Sequence, residues 1–467
     1  MLLRYLRKIK KIKITFFILI FSNFLMANAA IENSNVNDEN NYENINLQID
    51  SAIRDWQKSC ANGTDLCNSK EIVFPGKATP LESSNNFRIL IIDDSGMALA
   101  AYTRYFNRVL ENLVEGANGE ITTDYRSIEI NSTANKILTQ ILNPEEHYFI
   151  PSEALKPNQE LFSASLGRDL SNILLQDNSR GHSVSIFNFL ANNNPQAQFL
   201  LYYDTQKRWN DIICNNALKD EYKLDMLKNL LTYQANTINK KVLDYNINFI
   251  SLSEGIDSAY FNIFSKICPN IKIKSSFKKA VNKLYFDQFL AKLVENNNVL
   301  LVQANLSSSI YVDKNNSDFY SDCQVLKNRI RIGYVNSLSR DIPVDGIVTD
   351  KSKKYLLNGN ENSELCTDIY INIAVEKQRP FNYANGVVEF STFNVGTNPP
   401  IGADAVSSYA TPIGLSFLLD LKMKHSNLSN AENIYSFVMN SKKGGKYIIL
   451  DPALNKQLPI YTLKFLK

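Results

Sequence analysis

Short apolar runs, each separated from the next by a helical pattern, constrain this chain more than any other feature. The first is Phe87-Arg88-Ile89-Leu90-Ile91-Ile92, which stops at Asp93-Asp94-Ser95-Gly96. Similar runs occupy Gln198 to Tyr203, Ile247 to Ser251, Val299 to Val302, Ile330 to Val335 and Gly386 to Ser391. A strand with one wet face alternates apolar and polar residues. A strand that stays apolar throughout is buried on both faces, as in a parallel sheet. Helical spacing is read between the runs, at about Met97 to Val114, from His182 onward, at about Leu224 to Leu243 and at about Phe277 to Glu295. The expected fold is therefore α/β, a mostly parallel twisted sheet with helices on both faces and with insertions. Residues 115–177 carry a mixed pattern and are read as insertion. In such sheets functional groups gather at the carboxyl ends of the strands.

The ends of the chain read differently. Arg4, Arg7, Lys8, Lys10, Lys11 and Lys13 precede an apolar run from Ile14 to Met26 and the small residues Ala27-Asn28-Ala29. That order is expected of a signal peptide over residues 1–29, cleaved on export. The run is shorter than the ~20 residues of a spanning helix. The formal charge of +3 belongs to this leader: without its six cations, 44 basic residues face 47 acidic ones. Nothing in that balance points to nucleic acid, or to a membrane in the mature form. Residues 30–86 are read as an N-terminal extension, disordered to about Asp50, with a short helix at 49–57 and a Cys60–Cys67 loop. Residues 87–460 form the main domain and 461–467 a tail. Six cysteines in an exported chain favour disulfides. Loop length suggests the pairs 60–67, 214–268 and 323–366, among fifteen possible connectivities. The expected location is periplasmic or extracellular, and the expected state a monomer.

The candidates for chemistry sit at element ends. Ser407-Ser408-Tyr409-Ala410-Thr411-Pro412 opens an apolar helix, with Pro412 expected in its first turn. Orphan N–H groups at such a turn favour negative charge. There are three histidines. His147 lies in a polar turn and His425 at a basic helix end. His182 starts an apolar helix after Arg180-Gly181. Asp93 and Asp94 end a strand and point to opposite sides. Asp94, followed by Ser95-Gly96, is read as the acid that faces a site. Asn305 follows the strand ending Gln303-Ala304.

Taken together these residues resemble the subtilisin-like serine proteases (subtilases). Ile91-Ile92-Asp93-Asp94-Ser95-Gly96 is similar to that family's aspartate block. Gly181-His182 is similar to its histidine block, and Ile250-Ser251-Leu252-Ser253 to its substrate-binding edge. Gln303-Ala304-Asn305 is similar to its oxyanion block, and Ser408-Tyr409-Ala410-Thr411-Pro412 to its nucleophile block. The order Asp, His, Ser is also that of subtilisin. The resemblance implies an exported serine endopeptidase acting on protein or peptide substrates. Ser408 would be the nucleophile, His182 the general base and Asp94 its orienting acid. Asn305 would be an oxyanion donor, with Ser251, Leu252 and Ser253 pairing with extended substrate. No cofactor is implied, and a structural Ca²⁺ is compatible although no residue set marks one.

The family's glycines are replaced at Ser183-Val184, Ala304 and Val406-Ser407, and the long spacings require inserted loops. Three other readings follow from the same residues. One is a catalytically inactive relative, and another an exported binding protein without catalysis. The third is a phosphoacceptor receiver domain, in which Asp93 and Asp94 would hold Mg²⁺ with a third Asp and a Lys.

Overall fold

The computed structural model describes residues 42–62, 69–77, 87–93, 99–158, 182–305, 319–335, 366–372, 383–384, 387–388, 407–443 and 448–450, apart from isolated positions and short gaps within them. The expected signal peptide, the tail after 450, Asp94, Cys67 and Val406 lie outside the described residues.

A helix, α1 (42–61), comes first. The pair β1 (Ser69–Phe74) and β5 (Arg126–Asn131) forms a small antiparallel ribbon. Between them run β2 (Arg88–Asp93), α2 (Leu99–Tyr105), β3 (Val109–Glu115) and β4 (Ile121–Thr123). After β5 come α3 (Ser132–Lys136), α4 (His182–Asn193), β6 (Gln198–Tyr203), α5 (Lys207–Cys214) and α6 (Asp220–Asp244). Next are β7 (Phe249–Leu252), α7 (Ser275–Tyr285), β8 (Leu300–Ala304), α8 (Phe319–Asp322), β9 (Arg329–Val335) and β10 (Ile369–Asn372). The dipeptides β11 (Tyr383–Ala384) and β12 (Val387–Val388) pair with each other. Two helices, α9 (Ser407–Lys424) and α10 (Ala431–Lys443), lead to β13 (Ile448–Leu450).

The nine-stranded sheet has the order β13-β10-β9-β8-β7-β2-β6-β3-β4. Every pairing in it is parallel except β3 with β4. Both faces are covered, as the unbroken apolar runs require. Side chains alternate across a strand. Ile89, Ile91, Phe199, Leu201, Phe249, Leu300 and Val302 therefore enter one core together with residues of α4, α9 and α10. Leu90, Ile92, Leu200, Tyr202, Ile250, Leu252 and Leu301 enter a second core with residues of α5, α6 and α7. Each fully buried aliphatic side chain contributes about 1.5–3 kcal/mol.

Several expectations are corrected. The extension is not disordered up to residue 50. Helix α1 begins at 42 and seats Ile45, Ile49 and Ile53, each at most 1% exposed, in the first core. Their four-residue spacing is a helical stripe hidden among Asn and Glu. The helix expected to reach Val114 stops at Tyr105, and a 3₁₀ turn at Phe106–Arg108 passes into β3. A register shift between Val109 and Glu111 breaks the alternation that would have marked this strand. Of the run Gly386 to Ser391 only Val387–Val388 are described, and they pair with β11 rather than with the nine-stranded sheet. The sheet strand in that region is Ile369–Asn372, only four residues long.

Two disulfides, Cys214–Cys268 and Cys323–Cys366, join the expected partners. They point to an oxidising environment. The second lies beside a buried ion pair between the strands β9 and β10. Arg331 Nε and Nη2 donate to the two oxygens of Asp368 at 2.9 and 2.8 Å, and the Arg331 backbone N–H donates to Asp368 Oδ2 at 2.9 Å. No helix among the described residues is long and apolar enough to cross a membrane.

Candidate active site

Strand β2 lies in the interior of the sheet, between β6 and β7. Ile89, Ile91 and Asp93 project to the same side, the side on which α4 and α9 pack. The carboxylate of Asp93, 2% exposed, therefore meets the first residue of α4. His182 Nδ1 lies 3.0 Å from Asp93 Oδ1 and 3.1 Å from Oδ2. His182 Nε2 lies 2.8 Å from Ser408 Oγ in the first turn of α9. An ionised carboxylate only accepts, so Nδ1 carries the ring proton and Nε2 is left to accept from the serine hydroxyl. The carboxylate that meets His182 is thus that of Asp93, while Asp94, the residue expected to face a site, lies outside the described residues. Adjacent strand residues face opposite sides, and the packing of α4 and α9 shows that Asp93 lies on the side that holds the histidine.

The two helices are held firmly. Every residue of α4 after His182 is buried. Asn194, just past its end, donates from Nδ2 to Ser416 Oγ of α9 at 2.9 Å. Helix α9 is buried from Ser407 to Leu421 apart from half-buried Tyr409. It lies so close to the sheet that a Cβ on Gly414 would stand 2.7 Å from Ile332 Cδ1. Pro412 occupies the sixth position of this helix rather than its first turn. Its missing N–H leaves the Ser408 carbonyl without the usual i+4 donor. One turn back, Thr411 Oγ1 donates to the Ser407 carbonyl at 2.8 Å. The backbone N–H of Ser408, within the opening turn, has no intrahelical acceptor. The ring of Tyr409 meets His182 edge-on at 5.1 Å. The imidazole retains 27% side-chain exposure, against 3% for Asp93, so the contact meets solvent at the histidine, while Ser408 is buried.

Asn305 is the first residue past β8, a strand on which α9 packs. It is buried, its backbone N–H donates to Ile332 O at 2.8 Å, and its Nδ2 donates to Thr367 Oγ1 at 2.6 Å. Its Oδ1 is buried without a partner. Thr367 was not singled out in the sequence. Its place follows from Gly333, where a Cβ would stand 2.8 Å from Thr367 Cγ2. A lone glycine in a strand was the only available signal.

The expected substrate edge needs correction. Ser251 and Leu252 lie inside β7, with β2 in register on one side and β8 on the other. Their backbone groups serve the sheet, and both side chains are fully buried. Of the three residues only Ser253 lies past the strand, with its N–H 3.5 Å from Ile92 O. The hydroxyls of Ser251 and Ser253 are buried and unpartnered.

The other two histidines stand apart from this chemistry. The carbonyl of half-buried His147 accepts from Arg104, and burial lowers the imidazole pKa. His425 is exposed just beyond α9. Among the described residues no three His, Cys, Asp or Glu side chains are grouped to hold a metal ion. Asp93, one of the acids the receiver reading needs, is engaged by His182.

Comparison with known proteins gave no match: no family model, no curated protein and no solved structure is significantly similar to this chain.

Proposed function

We propose that this chain is an exported serine endopeptidase of the subtilisin-like type. The observation that carries the reading is the continuous contact Asp93–His182–Ser408, at 3.0 and 2.8 Å, assembled from a strand end and two helix starts. Its chain order, acid then histidine then serine, is that of subtilisin.

In the proposed reaction Ser408 Oγ attacks the scissile carbonyl as its proton passes to His182 Nε2. Asp93 keeps the proton on Nδ1 and stabilises the imidazolium. The negative charge that forms on the carbonyl oxygen meets the backbone N–H of Ser408 and the amide of Asn305. For this the Asn305 Nδ2 turns away from Thr367. His182 then protonates the leaving amine, and water, deprotonated by His182, hydrolyses the acyl-enzyme and restores Ser408. The leader over residues 1–29 and the two disulfides support export. The test is hydrolysis of unfolded protein by the purified full chain. Wild type is expected to release peptides and Ser408→Ala none. Equal release by both would remove the proposal.

A further inference from the structure

Thr367 reaches Asn305 across the strand that separates them. Asn305 follows β8 and Thr367 precedes β10, while β9 lies between these two strands. Position 333 of β9 carries no side chain, and a Cβ there would stand 2.8 Å from Thr367 Cγ2 and 2.9 Å from its Oγ1. The hydroxyl passes over that glycine and accepts from Asn305 Nδ2 at 2.6 Å. Both residues are buried, at 6% exposure each. Thr367 is fixed by its two neighbours in the chain. Cys366 is joined to Cys323, and the Asp368 N–H donates to Arg331 O at 2.9 Å. Asn305 is fixed as firmly, since its own N–H donates to Ile332 O at 2.8 Å. What the backbone leaves free in this pair is the rotation of the carboxamide and of the hydroxyl.

The two ends of an asparagine amide have nearly the same shape and opposite hydrogen-bonding roles. As the pair stands, Nδ2 donates to Thr367, and Oδ1 is buried without a donor. A buried acceptor left unpaired is costly. A half-turn about the Cβ–Cγ bond, a soft two-fold rotation, exchanges the two ends. Oδ1 then faces Thr367 Oγ1, and the hydroxyl, which can donate as well as accept, donates to it. Nδ2 takes the place of the orphan oxygen. The turned amide has a satisfied acceptor and a buried donor that needs an oxygen. The oxygen of a scissile carbonyl is such a partner, and it accepts more strongly as it gains negative charge. A methyl group in place of the hydroxyl would hold neither orientation.

We infer that Thr367 is a positioning residue for the oxyanion: its hydroxyl changes from acceptor to donor as the Asn305 amide turns, and so holds Nδ2 toward the substrate carbonyl. The inference rests on the peptidase reading, in which Asn305 Nδ2 stabilises the oxyanion. Thr367 itself touches no reacting atom and acts only through Asn305.

The test is a double-mutant cycle on the full-length chain, with kcat and KM measured on one peptide substrate. Thr367→Val is expected to lower kcat about tenfold, the size of one hydrogen bond, with KM within about twofold of wild type. Thr367→Ser, which keeps the hydroxyl, should retain most of the rate. In the Asn305→Ala background Thr367→Val should lower kcat no further, because the residue it acts through is gone. Circular dichroism and the urea midpoint show whether each variant is folded in the assay. If the valine variant is not, Thr367→Ala, which only removes atoms, carries the same expectations. A multiplicative loss in the double variant, a rise in kcat for Thr367→Val, or an equal loss in the serine variant overturns the role of Thr367 and leaves the peptidase reading standing. Absence of Ser408-dependent hydrolysis by the wild type overturns both.

Discussion

His182 Nδ1 stands almost equally far from the two oxygens of Asp93, at 3.0 and 3.1 Å. The imidazole is thereby gripped at one nitrogen by a carboxylate on an interior strand, while the other nitrogen faces Ser408. A rigid strand end is a better anchor for this purpose than a loop, because its position is set by ladder hydrogen bonds on both sides. The pairing puts Asp93 at the imidazole, where the sequence reading put its neighbour Asp94.

Replacing Asp93 by Asn is expected to lower kcat by about 10⁴, because an amide no longer holds the ring proton on Nδ1. Asp94→Asn should leave kcat within severalfold of wild type. Measuring both variants on one peptide substrate decides the matter. A large loss in Asp94→Asn with little loss in Asp93→Asn would reverse the assignment.

Asn305→Ala should lower kcat by about 10²–10³ while KM changes little, since an oxyanion donor acts in the transition state. The buried, unpartnered Oδ1 makes this residue a poor choice for packing alone. A rate within twofold of wild type would take Asn305 out of the mechanism.

Glu115 gives a pH dependence with a defined sign. Its folded pKa, about 9, lies above the ordinary value of 4.5. Between those values the folded chain keeps a proton that the unfolded chain has released. Stability contributed by this group is therefore lost as pH rises through that window. Glu115→Gln keeps the shape without the ionisation. Urea midpoints at about pH 6 and about pH 8.5 should fall less between the two conditions in the variant than in wild type. An identical fall would assign the effect to other groups.

The ion pair between Arg331 and Asp368 is almost fully buried, at 7% and 0% side-chain exposure. Removing one partner leaves an uncompensated charge beside β10. Asp368→Asn is expected to destabilise by about 3–5 kcal/mol, read as a lower urea midpoint. The accompanying loss of activity should be recovered under conditions where the variant is folded, because the pair touches no reacting atom.

Much of the fold was legible because burial on both faces writes itself directly into a strand. Ile89 to Ile92, Phe199 to Leu201 and Leu300 to Val302 carry that signature, and all lie in the sheet. Elements escaped where a second influence overrode it. The stripe Ile45, Ile49 and Ile53 was diluted by polar neighbours, and β3 carries a register shift. Strand β10 is too short for a periodic pattern. In the site, His182 and Ser408 were readable because each opens an apolar helix, and the structure brings them together. The choice between Asp93 and Asp94 was not, since it depends on which sheet face the helices cover. Ser251 and Leu252 looked like an edge, but only the strand order shows that neighbours occupy both sides. Thr367 gave no sequence signal of its own, as it acquires its meaning from Asn305 and Gly333, distant in the chain.

The most direct test of the triad is covalent labelling of the folded protein with a fluorophosphonate, followed by peptide mapping by mass spectrometry. Such a probe reacts only with a serine whose proton has a base to go to. The account predicts one phosphonylated residue, Ser408, with labelling lost in His182→Ala and strongly slowed in Asp93→Asn. No adduct on the folded wild-type chain, or an adduct at Ser408 that forms equally fast without His182, would contradict it.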